Sequence, residues 1–205
     1  HGKGEFESIQ LFEPDDRICA FEYIYFARPD SVIDGKNVYE VRKKMGAALA
    51  RKSSVKADFV VPVPDSGVPA ALGYAQASGL PFEAAITRNH YVGRTFIEPT
   101  QEMRNLKVKL KLNPMSALLK DKSVVVVDDS IVRGTTSKKI VELLRHAGAR
   151  EIHFRVACPE LKFPERYGID TPSFAELISA NKTPEQVCEY IGADSLEFLS
   201  LDELT

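Results

Sequence analysis

Apolar and polar positions follow two rhythms along this chain. In VYEVRKKMGAALAR, the apolar residues Val38, Val41, Met45, Ala48 and Leu49 return every three or four positions, which predicts an amphipathic helix. Shorter runs rich in β-branched and aromatic residues predict strands: CAFEYIYF at about 19 to 26, the stretch ending in PVPDSG, then FEAAITR, SVVVVD and REIHFRVAC. Between these runs, VPAALGYAQASG carries Pro69 in its first turn and Gly79 at its end, and TTSKKIVELLRHAG stops at Gly148. Strands and helices alternate, so the expected fold class is α/β: a mainly parallel sheet flanked by helices, with right-handed crossovers. The run VVVV suits a strand buried on both faces of such a sheet.

Past residue 160 the pattern becomes short and helical. PSFAELIS predicts one helix, and TPEQVCEYIG predicts another, with Thr183 as N-cap, Pro184 at the first helical position and Gln186 completing a capping box. The expected organisation is a core over residues 17–160 and a small C-terminal helical appendage over 161–205. One segment, about 88–122, is too long for a simple crossover. Its stretch from Gln101 to Lys122 holds six Lys or Arg against two acids.

With 205 residues and 44% hydrophobic content, the chain can bury a sizeable core. Its net charge of −2 offers no global attraction for nucleic acid or an anionic membrane, so neither partner is expected. Cys19, Cys158 and Cys188 form no C-x-x-C pair, which points to a reducing compartment and a cytoplasmic location. Neither a run long enough to span a membrane nor a signal-peptide pattern is present. The start, HGKGEFES, lacks methionine and reads as a processed or truncated beginning.

The chemistry concentrates in VVVVDDSIVRGTTS. In an open parallel sheet, ligands bind beyond the carboxyl ends of the strands, where Asp128 and Asp129 fall. The helix that follows offers free N–H groups and a partial positive charge, yet its start carries Lys138 and Lys139, and the first acid is Glu142. An external anion would resolve that imbalance, with Gly134, Thr135, Thr136 and Ser137 suited to a phosphate. The acid pair cannot cradle the same phosphate. Ribose hydroxyls or a hard cation such as Mg2+ would suit it, and a ribose 5-phosphate would satisfy the whole stretch. Taken singly, the acids could end a strand and the hydroxyls cap a helix; the joined pattern favours a ligand. The Asp65-Ser66-Gly67 loop is open to both readings, a second anion site at a helix start or a turn before a Pro-led helix.

VVVVDDSIVRGTTS closely resembles the phosphoribosyl pyrophosphate (PRPP) signature of type I phosphoribosyltransferases. FEYIYFARPDS, YVGRTFIEP, VKLKLN and YGIDTPS resemble, in the same order, the amidophosphoribosyltransferases of purine synthesis. The likeness runs from about 17 to 203. It implies that Asp128 and Asp129 lie along the ribose diol and help position Mg2+, with Ser66 near the metal. It implies that Ser130, Ile131, Val132, Arg133, Gly134, Thr135, Thr136 and Ser137 wrap the 5-phosphate, and that Asp65, Ser66 and Gly67 form a pyrophosphate loop. Residues 88–122 then resemble a lid over PRPP, with Lys111 and Arg94 as catalytic candidates; Lys109 fits the lid and a solvent-facing edge strand equally.

The reaction implied is displacement of pyrophosphate from C1 of PRPP by ammonia, giving 5-phosphoribosylamine in the first committed step of purine synthesis. The family also implies a glutaminase half upstream, a homo-oligomer, commonly a tetramer, and feedback inhibition by purine nucleotides. Since the matched region starts almost at residue 1, ammonia rather than glutamine is the expected nitrogen source. Some members hold an iron–sulfur cluster; Cys19 matches one ligand position, but Glu165 stands where those members have another cysteine, so no cluster is expected. His90 stands where the family has arginine, and it could equally be an exposed loop histidine. A non-enzymatic PRPP-binding regulator is the main alternative. A signalling receiver would place its acid pair near the domain start, and a dinucleotide enzyme needs G-x-G-x-x-G after a strand.

Overall fold

The computed structural model describes residues 18–89, 112–164 and 173–204. A small antiparallel hairpin, β1 (Val32–Ile33) with β2 (Lys36–Asn37), leads into α1 (Val38–Lys52), capped by the Asn37 side chain, which accepts from the Glu40 N–H. Next come β3 (Phe59–Pro62), α2 (Val68–Ser78), β4 (Ile86–Arg88), β5 (Leu112–Pro114), the one-turn α3 (Ser116–Leu119) and β6 (Ser123–Asp128). The chain continues through α4 (Thr135–His146), β7 (Glu151–Val156), α5 (Ile178–Asn181), α6 (Pro184–Ile191) and β8 (Ser195–Phe198).

Strands β3, β6, β7 and β8 form one parallel sheet in the order β3-β6-β7-β8, as the α/β reading required. Val61 lies opposite Val126 and Val126 opposite Phe154, so the apolar runs stack in register. All six residues of β6 are buried, which an amphipathic strand would not tolerate. From β3 the chain passes through α2 and returns at the outer edge, where Phe82 bridges Val60 in parallel; from β6 it moves the other way, through α4 to β7. Right-handed crossovers therefore put α2 and α4 on opposite faces, and the progression reverses between β3 and β6. That reversal opens a crevice at the carboxyl ends of these two strands.

Four local expectations change. Residues 19–26 do not form a strand: Glu22–Phe26 is a wide helical turn in which the Ala27 N–H donates to Glu22 O, five residues back. Arg42 captures this segment from α1, donating to Tyr23 O at 2.6 Å and to Ala27 O at 2.9 Å, which uses carbonyls that a sheet ladder would need. FEAAITR joins the parallel sheet only at Phe82; the Ala85 N–H then turns back onto Glu83 O, and Ile86–Arg88 pairs antiparallel with Leu112–Pro114. Of PSFAELIS, the described part is broken at Leu177, with Phe174–Glu176 a 3-10 turn and α5 beginning at Ile178. The break follows from the Ile178 N–H donating to Val132 O rather than within its own helix. Finally, the C-terminal region is not only helical, since β8 completes the sheet beside β7. The cap of α6 is the expected capping box of Thr183 and Gln186.

In the segment 88–122, Leu112–Lys122 belongs to the core rather than to a lid: Leu112 and Leu119 are buried, and Lys122 pairs with Asp58 at 3.1 Å. Residues 90–111 lie outside the described residues. No described helix is long and apolar enough to cross a membrane.

Candidate active site

Two loops meet at the crevice. The first leaves β3 at Val63, whose N–H donates to Val127 O at 2.9 Å and so stitches it to the end of β6. Pro64, Asp65 and Ser66 then bulge outward, with a cis peptide between Pro64 and Asp65, before Gly67 starts α2. Gly67 has no room for a side chain: a Cβ there would lie 2.4 Å from Val127 O and 3.0 Å from Val63 O, both backbone atoms. Its N–H closes the turn onto Val63 O at 3.0 Å. Asp65 is solvent-exposed and takes an ion pair from Arg88 of β4 at 2.5 Å.

The second loop follows β6 and holds the acid pair. Asp128 and Asp129 are only 6% and 7% exposed, although neither belongs to the apolar core. The Asp129 N–H donates to Asp128 Oδ1 at 2.9 Å, and Ser130 Oγ donates to Asp129 Oδ2 at 2.6 Å. Burial, and then the neighbouring charge of Asp129, push the Asp128 carboxyl well above the ordinary carboxylate range. Two more groups feel Asp129. Buried Arg42 has its pKa lowered by burial and raised in part by the Asp129 charge, and burial with help from Asp129 pushes the Cys158 thiol up to about 12. The arrangement is a buried acid pair whose charge reaches one buried guanidinium that is hydrogen-bonded elsewhere, which favours a bound cation or a hydrogen-bond donor at the pair.

Beyond the pair, Ile131 anchors the loop in the core and Gly134 adopts φ 72°, from which α4 starts with Thr135. No acid occupies the first turn of α4 and no side chain caps it. Ser137 is buried, while Thr135 and Thr136 are exposed at the helix start. Lys138 and Lys139 fall just past that turn, and Lys138 Nζ sits 5.0 Å from the centre of the Tyr190 ring. The amides of Thr135 to Ser137 are the free N–H groups of a helix end, a geometry that receives an anion.

The structure thus brings Asp65, Ser66 and Gly67 to the same crevice as Asp128 through Ser137. It turns the Arg133 side chain onto Glu176, through Nε at 2.7 Å and through an Nη, and pairs Asp65 with Arg88. Arg94, Lys109, Lys111, His90 and Glu165 lie outside the described residues. Sequence reasoning missed Arg42, although its signal was present: it is a charge on the apolar stripe of α1, between Val38 and Met45. Arg88, Glu176 and Cys158 carried no comparable local signal. Among the described residues, no group of three His, Cys, Asp or Glu side chains is placed to hold a metal by itself.

Comparison with known proteins agrees with this geometry. The model of the phosphoribosyl transferase domain matches residues 32–181. An amidophosphoribosyltransferase of Rhizobium etli is 62% identical over 92% of this chain and 38% of its own length. A chloroplastic amidophosphoribosyltransferase of Glycine max is 58% identical over 93% of the chain and 34% of its own. The solved glutamine PRPP amidotransferase of B. subtilis, complexed with ADP and GMP, superimposes with a TM-score of 0.83 at 51% identity, covering 91% of this chain and 41% of that one. The chain therefore spans less than half the length of these relatives.

Proposed function

The chain belongs to the phosphoribosyl transferase domain family, and from that premise we propose that its crevice transfers the phosphoribosyl group of PRPP to ammonia, releasing pyrophosphate and forming 5-phosphoribosylamine. The observation that carries the reading is the Val63 N–H to Val127 O hydrogen bond, which holds an acid-pair loop and a second helix start against one crevice. A PRPP molecule has three anionic or donor regions, and the crevice has a partner for each. The 5-phosphate takes the amides of Gly134 to Ser137 with the Thr135 and Thr136 hydroxyls. The ribose diol donates to Asp128 and Asp129. The pyrophosphate takes the start of α2 at Asp65, Ser66 and Gly67, with the cation of Arg88 beside it.

Mg2+ fits this donor set as a partner of bound substrate. Two buried carboxylates, one of them driven toward its protonated form by burial and then by the charge of the other, gain from a cation, and Mg2+ is commonly held by one or two carboxylates together with substrate phosphates. Asp128, Asp129 and Ser66 would hold it, and when bound it supplies charge neutralisation for the departing pyrophosphate. The residues of the chain do the rest. The 5-phosphate is held by the free amides of the α4 start and the pyrophosphate by the loop before α2, so C1 is held between them, and the carboxylates lie where positive charge develops on the sugar as the C1–O bond breaks. Ammonia forms the new C1–N bond and gives up a proton to solvent. Lys111 and Arg94 are proposed to add cations over the bound pyrophosphate. A purine nucleotide, through its own phosphate, would compete for the α4 start.

The test is pyrophosphate release from PRPP and Mg2+ with and without an ammonium salt at mildly alkaline pH. Ammonium-dependent release is expected. PRPP binding without release would favour a regulatory binding protein, and absence of both would overturn the reading.

A further inference from the structure

The C-terminal segment touches the loop after β6 at three separate points. Arg133 donates to Glu176 Oε2 through Nε at 2.7 Å and through an Nη. The Ile178 N–H donates to Val132 O at 2.9 Å. Ile178 Cδ1 and the Tyr190 ring cover Gly134, 2.7 Å and 3.2 Å from where a Cβ would stand. Three consecutive residues, 132 to 134, are therefore held from outside, directly before the free amides of α4. These contacts come from a region whose sequence suggested only an appendage.

We propose that Glu176 is a positioning residue, which uses Arg133 as a strut to hold the backbone of the phosphate loop in its binding conformation. The proposal rests on the reading of Ser130 to Ser137 as that loop. The alternative use of Arg133, as a cation facing the phosphate directly, fits less well: both of its hydrogen bonds go to Glu176, which neutralises it. The phosphate has other donors in the amides and exposed hydroxyls at the start of α4. Nor is stability the natural purpose of the pair. Arg133 is 52% exposed and Glu176 34%, and ion pairs this open contribute little to folding. What the pair does fix is the direction in which residues 132–134 enter the helix.

The test uses Glu176→Ala, Arg133→Ala and the double variant of the 205-residue chain. Two readouts are needed: ammonium-dependent pyrophosphate release, and calorimetric binding of PRPP with Mg2+. Each single change is expected to raise KM and Kd for PRPP by about fivefold, with kcat held within about twofold. The double variant should be no worse than either single one, because a strut broken at one end is already broken. Melting temperatures should stay close to that of the unaltered chain. A much larger loss for Arg133→Ala than for Glu176→Ala would make Arg133 a direct phosphate ligand and overturn the proposal. Additive losses, or a loss confined to kcat, would overturn it as well. If the unaltered chain neither binds PRPP nor releases pyrophosphate, the phosphate-loop reading itself fails, and the strut falls with it.

Discussion

The two loops of the crevice occupy matching places at the ends of neighbouring parallel strands, yet their carboxylates live in opposite surroundings. Asp65 is 59% exposed and already paired with Arg88. Asp128 and Asp129 are nearly closed off from water and hydrogen-bond mainly within their own loop. One topological position thus yields an open rim with its charge neutralised, and the other a closed floor with charge still to be compensated. Burial rather than residue type separates the two roles: the floor has reason to attract a diol or a cation, and the rim to guide an anion.

The contrast is broken most severely by removing charge from each loop in turn. Asp129→Asn is expected to lower ammonium-dependent pyrophosphate release by about a hundredfold or more, because a misplaced sugar loses its alignment with the leaving group. Asp65→Asn should cost less than about tenfold, since it alters a solvated, already paired group. Equal losses at both positions would erase the distinction between floor and rim.

The seam between the loops gives the next largest effect. Gly67→Ala would force a Cβ against Val127 O and Val63 O, and it is expected to destabilise the chain by about 1–3 kcal/mol. Thermal melting reads the destabilisation, and calorimetry should find weakened PRPP binding in the same variant because both loops move.

A pH series sharpens the picture of the floor. The ionised form of Asp128 is penalised in the folded chain, so its folded-state pKa lies above its unfolded value near 3.8. The protonated form therefore contributes stability that is complete below that value and is lost as pH rises through the raised folded pKa. With a chelator present, the melting temperature of Asp128→Asn should depend less on pH above about 4 than that of the unaltered chain. A parallel pH dependence in both would show that Asp128 is not the penalised group.

The smallest effect concerns thiols. At pH 8 the buried Cys158, pushed up to about 12, should resist a thiol reagent while exposed Cys19 reacts at once, and denaturation should remove the difference. Rapid labelling of Cys158 in the native chain would mean that the floor is open to solvent.

Much of this architecture was legible in the sequence where local pattern and global fold agree. β6 announced itself through four consecutive valines, and α6 through a cap complete within four residues. The uncapped, acid-free start of α4, proposed to take the phosphate, was legible because glycine, hydroxyls and the absence of an early acid all sit within one stretch. What escaped depended on distant partners. β8 has four residues, Leu196 and Phe198 alternating with Ser195 and Glu197, and its strand character comes from pairing with β7 some forty residues away. Aromatic propensity favoured a strand at Glu22–Phe26, and Arg42 overrode it by taking the carbonyls. The strut from Glu176 could not be read at all, since it joins residues 43 positions apart.

The most direct test of the central claim is a crystal structure of the chain with PRPP and Mg2+. The account expects the 5-phosphate on the amides of Gly134 to Ser137, the ribose diol on Asp128 and Asp129, and the pyrophosphate beside Ser66 and Gly67. PRPP bound elsewhere, or lying in the crevice with its pyrophosphate on the α4 start, would contradict it.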